Sequence, residues 1–406
     1  MGVSILRLTR AYGVTASSVH QSSPEGAIHR SLVHWATTTI SRKSLDIFLT
    51  SAYTDVETLN LNRFGKHMAA TIKEVAERAG VSIATVSYVL NNRSGAVRIS
   101  PRTRERIWSA VEELGYHANA LARGLAGKRT HTVALVMQYP SIFSSWSGFT
   151  SEMMHGVADA AHACGLDLLL YTRERSDVRA EVLALADGRV DGALLLRDWD
   201  DPLIDQLVKH TIPTVLVFSR SRNATVPYAC CDDELGGRIA GGYLTNLGHR
   251  RILHLTGSVH SSAAVDRLRG FKSALREAGC DLPPECVLEA GHAGADFEPV
   301  AHALTREPRP TAVFAWSDDV ALRLMAEARA LGLRTPEDLS IIGFDSTEVC
   351  NHTHPTLTSV AQDIPLIAAE GMRMLSAMIK GSAEEARSIV IPPVICVRGS
   401  TGPVPS

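Results

Sequence analysis

The 406-residue chain carries sixteen histidines and seven cysteines, ample material for metal binding or nucleophilic catalysis, yet their spacing assembles neither. No two histidines stand four residues apart, and His352/His354 and the adjacent pair Cys230-Cys231 lack the partner spacing of a zinc site. Neighbouring cysteines cannot readily bridge within normal disulfide geometry and read as small buried apolar residues. Gly236/Gly237 and Gly241/Gly242 have the wrong spacing for a Gly-x-Gly-x-x-Gly phosphate loop and lie in a helical pattern, and no Gly-Lys-Ser/Thr loop occurs. The residues therefore predict no enzyme, no metal and no cofactor. A different chemistry remains open: Thr85, Ser87, Asn91 and Arg104 are side chains suited to holding phosphate, and they cluster in one basic stretch.

The elements that would position them are written clearly. Thr71-Ile-Lys-Glu74 has capping-box spacing, and Ile72, Val75, Ala76 and Ala79 follow with helical period. Gly80-Val81-Ser82 reads as a tight turn, with Ser82 placed to cap a second helix over about 83–90 that buries Val86, Val89 and Leu90. Ser100-Pro101 starts a third helix striped by Ile107, Val111 and Leu114 and ended by Gly115. Two short helices across a glycine turn, closed by a third, make a helix-turn-helix unit. Its exposed face begins at Ser82-Ile83-Ala84-Thr85 and runs to Tyr88.

Charge supports the same reading. The net charge is -2, but residues 1–67 hold seven Lys/Arg and four Asp/Glu, residues 68–129 ten and five, and residues 130–406 twenty-four and thirty-four. A basic module thus precedes an acidic body, a distribution that hints at a nucleic-acid partner.

Residues 71–91 (Thr-Ile-Lys-Glu-Val-Ala-Glu-Arg-Ala-Gly-Val-Ser-Ile-Ala-Thr-Val-Ser-Tyr-Val-Leu-Asn) and 112–125 (Glu-Glu-Leu-Gly-Tyr-His-Ala-Asn-Ala-Leu-Ala-Arg-Gly-Leu) closely resemble the DNA-binding headpiece of the lactose/galactose repressor family. The resemblance runs from about residue 70 to about 398, through Arg-Val-Asp-Gly at 189–192, Leu-Gly-His-Arg-Arg-Ile at 247–252, Arg267-Leu-Arg-Gly-Phe271, Pro336 to Asp345 and Pro355-Thr-Leu-Thr-Ser359. It implies DNA contacts by Thr71, Ser82, Ile83, Ala84, Thr85, Ser87, Tyr88, Asn91 and Arg104, with sequence read at Ile83, Ala84 and Tyr88. Many relatives carry Arg where Tyr88 stands, which leaves the operator sequence open. It also implies that Asn119, Ala122 and Leu125 belong to a hinge helix that folds when two subunits meet on DNA, Leu125 wedging into the minor groove. The family usually has Pro where Ala118 stands, so the start of this hinge is less sharply set.

For the body, the resemblance implies an effector held by Arg267 and Asp318, a guanidinium and a carboxylate facing each other across a cleft as a grip for a polyol. Phe218 and Trp316 stand where relatives have Asp and a small residue, and their aromatic faces suit a sugar ring or a flatter ligand. They join His292 and Phe344 as candidate pocket residues.

Short apolar runs at Thr132–Met137, Leu166–Tyr171, Gly192–Leu196, Pro213–Phe218, Ile252–Thr256, Thr311–Ala315 and Leu339–Gly343 alternate with helical stretches that include Gly148–Cys164, Glu234–Leu247, Ala264–Ala278, Val320–Leu331 and Pro365–Ile379. Such alternation argues for parallel sheets wound with helices, and the resemblance implies two such doubly wound parallel-sheet subdomains, like periplasmic binding proteins, so that the expected fold is a small all-α helix-turn-helix headpiece plus this α/β body. The expected layout is a disordered or mis-started extension at 1–67, with Met68 as initiator, a DNA-binding domain at 68–116, a hinge helix and linker at 117–130 and an effector-binding and dimerisation body at 131–406. A basic, acid-poor transit peptide is the other reading of the extension; its early arginines exclude a secretory signal.

The function these readings imply is a ligand-responsive transcriptional regulator, a repressor, bound as a homodimer to a palindromic double-stranded DNA operator. Its effector would be a sugar or sugar derivative. The odd number of cysteines points to a reducing cytoplasm, and no apolar run reaches the ~18 residues of a membrane span. The alternative is a periplasmic-type sugar-binding protein without DNA function.

Overall fold

A computed structural model describes residues 70–90, 99–116, 129–139, 147–172, 177–290, 297–382 and 386–405. The extension at 1–67 and Met68 lie outside these. The described chain divides into two compact units, one ending at His117 and one beginning at Ala118.

In the first unit, α1 (Ile72–Ala79), α2 (Ile83–Leu90) and α3 (Pro101–Leu114) enclose a core of Val75, Ala76, Ala79, Val86, Val89, Ile107 and Ala110. The capping box is complete: Thr71 Oγ1 accepts from Glu74 N at 3.3 Å and Glu74 Oε2 accepts from Thr71 N at 2.6 Å. Gly80 ends α1 at φ +63°, which a glycine adopts without steric cost. Ser100 caps α3 above Pro101. Leu114 differs from the expected stripe and is exposed, its place in the core taken by Ala110.

The second unit holds two six-stranded sheets. Sheet one runs β2 (Asp167–Leu170), β1 (Thr132–Met137), β3 (Gly192–Leu196), β4 (Thr214–Val217), β5 (Tyr228–Cys231) and β11 (Ile389–Ile391), all parallel. Sheet two runs β7 (Val287–Glu289), β6 (Ile252–Thr256), β8 (Ala312–Ala315), β9 (Ser340–Asp345), β10 (Thr358–Ala361) and β12 (Val394–Cys396), with only β12 antiparallel. The central strands are buried on both faces, as parallel strands flanked by helices must be.

Helices α4 (Gly148–Cys164), α5 (Val178–Leu185), α6 (Pro202–Lys209) and α11 (Ile364–Lys380) serve the first sheet; α7 (Asp233–Asn246), α8 (Ser262–Glu277), α9 (Glu298–Thr305) and α10 (Asp318–Ala330) serve the second. The chain changes lobe three times, at Asp232, at Gln362 and at Pro392-Pro393. Two of these crossings are tied to neighbouring backbone and side chains: Asp232 N donates to Ile391 O at 2.9 Å, and Gln362 Nε2 to Asp345 Oδ1 at 2.6 Å.

Candidate DNA interface and ligand cleft

On the headpiece, α2 is set against α1 by a turn that Arg106 pins, its guanidinium donating to the carbonyls of Ala79 and Gly80. Ser82 caps α2 by accepting from Thr85 N at 3.2 Å, and the two hydroxyls lie 2.8 Å apart. Ser82, Ile83 and Ala84 are exposed, whereas Thr85 and Ser87 are half-buried, as is Arg104 on α3. Ile83 is 47% exposed, a large apolar side chain that the headpiece core does not use.

Tyr88 departs from the expected outward face. It is half-buried and its hydroxyl is enclosed without a hydrogen-bond partner. Five residues beyond Ile83, a helix has turned about 140° further round, which brings Tyr88 beside the core-facing Val89. Thr71 is exposed but committed to the cap through both hydroxyl and backbone. Asn91, Asn119, Ala122 and Leu125 lie outside the described residues.

In the body, the carboxyl ends of the two sheets face each other, the place where open parallel sheets hold ligands. Several bonds cross between them. Trp199 N donates to His260 O at 3.2 Å, His260 Nδ1 lies 3.2 Å from Asp200 Oδ2, Arg220 N donates to Ser262 Oγ at 3.2 Å, and Glu348 N donates to Glu152 Oε1 at 3.0 Å. Arg220 also forms an ion pair with Asp266.

Arg267 and Asp318 are both in this region, but they do not form the expected grip on an open ligand. The guanidinium of Arg267 donates from Nε to Asp233 Oδ1 at 2.8 Å and also to the Trp316 carbonyl, and it stacks 3.4 Å from the Phe344 ring centroid. Asp318 is 1% exposed and accepts from Thr347 N at 2.8 Å, Thr347 Oγ1 at 3.0 Å and Ser359 Oγ at 2.6 Å. As the first residue of α10 its carboxylate turns back toward β10, and protein groups fill both its oxygens. Burial pushes its carboxyl above the usual range.

Asp345, which sequence reasoning passed over, is better placed for a ligand. It ends β9 at φ +109°, and among the described residues only one of its oxygens has a hydrogen bond, from Gln362. Burial pushes its carboxyl well up, opposed chiefly by the charge of Arg267. Its signal was its position at the end of a buried strand, in Gly343-Phe344-Asp345. Asp233, the first residue of α7 and the buried partner of Arg267, was likewise not singled out from sequence.

The aromatic candidates converge. Phe344 is fully buried under Arg267, Phe218 sits at φ +56° edge-to-face with Phe149 at 5.0 Å, and the Trp316 ring centroid lies 5.8 Å from the Arg267 guanidinium. His292 lies outside the described residues. Among the described residues no cluster of three or more His, Cys, Asp or Glu side chains has metal-binding geometry, and no helix is long and apolar enough to cross a membrane.

Comparison with known proteins matches both units. Residues 71–119 match the bacterial regulatory proteins of the lacI family, and residues 242–401 match the periplasmic binding protein-like domain. The HTH-type transcriptional regulator DegA of Bacillus subtilis is 31% identical over 344 residues, covering 83% of this chain and 99% of DegA. The HTH-type transcriptional repressor PurR of Vibrio vulnificus is 34% identical over 339 residues, covering 81% and 98%. Among solved structures, the lac repressor dimer bound to operator and the anti-inducer ONPF has a TM-score of 0.70 at 28% identity, covering 82% of this chain and 99% of that one. The complex of the transcriptional regulator CelR with cellobiose has a TM-score of 0.61 at 34% identity, with the same coverage of 82% and 99%. With both parts of the architecture present in one chain and matched along nearly the full length of such relatives, this protein belongs to the lacI family of bacterial regulatory proteins.

Proposed function

We infer that the protein is a ligand-responsive, sequence-specific DNA-binding transcriptional regulator, a repressor whose hold on a palindromic operator is set by a small sugar-like effector. The observation that carries this reading is the union, in one chain, of a capped helix-turn-helix headpiece and a two-lobed body with a cleft at its strand ends. A periplasmic-type binding protein would have no use for residues 71–119. In the relatives whose structures hold an operator or cellobiose the same two parts occur, and that likeness extends to DNA and sugar as partners here. In this reading the protein works as a homodimer in the cytoplasm and needs no catalytic group.

In this reading residues 68–116 are the DNA-binding domain, 117–130 the hinge helix and linker, and 131–406 the effector-binding and dimerisation body. Ile83, Ala84 and Tyr88 read base edges, with Ser82, Thr85, Ser87, Asn91 and Arg104 on or near phosphate. Asn119, Ala122 and Leu125 serve the hinge. Arg267, Phe218, Trp316, Phe344 and His292 line the effector site, with Asp345 supplying the carboxylate in place of Asp318. An effector that touches both lobes binds one arrangement of them better than another, and by linkage changes DNA affinity by the same factor.

Gel retardation of the intact protein on DNA from upstream of its own gene tests this. A retarded band lost on adding salt or an effector is expected; no retardation at low salt would refute it.

A further inference from the structure

Trp316 follows β8 at the carboxyl edge of the second sheet, and its indole nitrogen is buried with no hydrogen-bond partner among the described residues. Leaving such a donor unmade is costly, a cost that an acceptor arriving from outside removes. The residue is held where it is. Its backbone N donates to Leu255 O at 2.9 Å, its carbonyl accepts from Arg267, and its ring lies against Gly257, where a Cβ would come within 2.9 Å of Cδ2.

A second orphan stands on the other lobe. Thr150, in the first turn of α4, is 6% exposed and its hydroxyl has no partner among the described residues. Gly148, two residues earlier, approaches Thr347 of the second lobe so closely that a Cβ would sit 2.8 Å from its hydroxyl, so this end of α4 borders the space between the lobes.

Charge narrows the ligand. Among the described residues, Arg267 is already paired with Asp233 and Arg220 with Asp266, while Asp318 and Asp345 add further carboxylates. A phosphate would enter a place whose cations are taken. Hydroxyl groups, able to donate and accept, suit it better, and the faces of Phe218 and Trp316 suit the C–H face of a sugar ring.

We propose that Trp316 is a specificity-determining residue whose indole N–H donates to a hydroxyl of an uncharged, unphosphorylated sugar. This rests on the cleft being the effector site. The test measures binding of D-ribose, D-glucose, cellobiose, glucose 6-phosphate and adenine to the intact protein by thermal shift and calorimetry, in the native chain and in Trp316→Phe and Thr150→Val.

A neutral sugar is expected to bind the native chain, and Trp316→Phe to weaken it about tenfold while keeping or raising the melting point of the unliganded protein. Thr150→Val is expected to weaken the same sugar. Unchanged sugar affinity in Trp316→Phe overturns the role of the indole. Binding of glucose 6-phosphate or adenine alone, or of nothing in the panel, overturns the ligand class. If the sugar binds as described but leaves retardation of DNA unchanged, the proposed regulatory function fails and this assignment stands.

Discussion

At the scale of single residues, type and spacing placed Arg267, Phe344 and Trp316 in one region, and missed what each is bonded to. Whether Arg267 meets Asp233 or Asp318 depends on how α7, α8 and α10 are laid against one another, and no local pattern encodes that. Asp345 escaped notice because an acidic residue at a strand end has many uses. Tyr88 was expected on the outward face of a recognition helix, its reading role implied by the resemblance, and it lies half-buried. Tyr88→Ala is expected to change which operator is preferred while leaving the salt dependence of binding unchanged, as measured by titrating several duplexes at two ionic strengths; equal weakening on every sequence would contradict it. His254 gives a second residue-level test. It is fully buried between Phe271 and Phe314, with Nδ1 2.9 Å from Phe314 O and Nε2 unpartnered. Burial pushes its imidazole down to about 4 from 6.5. Between those values the unfolded chain takes a proton that the folded chain refuses, so stability falls as pH falls through that window. From pH 7 to pH 5 the loss is about 2 kcal/mol. Denaturation of native and His254→Phe proteins at both pH values should show a larger loss in the native chain, this amount being the difference between the two.

At the scale of elements, the headpiece was legible nearly to the residue because capping boxes, glycine C-caps and a proline at the first turn are local signals. Strands β1, β3 and β6 were equally clear as short continuous apolar runs. Strands β5, β7, β10, β11 and β12 were not: Tyr-Ala-Cys-Cys and Thr-Ser-Val-Ala carry too little apolar character, and three-residue strands owe their pairing to the sheet they join. The glycine pairs rejected as phosphate loops have a packing role instead. A Cβ at Gly237 would come within 2.0 Å of Arg267 O, and one at Gly270 within 1.8 Å of Glu234 O, so α7 and α8 touch backbone to backbone there. Gly242, also on α7, faces open space. Gly237→Ala and Gly270→Ala are each expected to destabilise the body by about 1–3 kcal/mol or more and to weaken effector binding by displacing Arg267. Gly242→Ala should stabilise by up to about 1 kcal/mol through helix propensity. Thermal melts of the three variants with and without ligand check the order.

At the scale of the whole molecule, the net charge of -2 conceals a division of labour between a basic stretch of residues 68–129 and an acidic body. The basic part can release counterions from DNA, while the body's negative charge disfavours unspecific contact with the duplex. Affinity for operator is therefore expected to fall steeply, about 10³-fold or more between 50 and 200 mM salt if a dimer engages six or more phosphates, which anisotropy titrations at several salt concentrations would read. Parallel sheets were legible as strand–helix alternation and the two lobes through the family resemblance, but the places of the three crossings were not, because β11 and β12 are placed by sheets formed far earlier in the chain. The central claim is that this molecule reads DNA sequence as a symmetric pair of headpieces. Selection of bound duplexes from a randomised pool by the intact protein at 150 mM salt tests it most directly: the account predicts enrichment of an inverted repeat of two half-sites, and a bound pool with no shared sequence, or with a single unrepeated site, would contradict it.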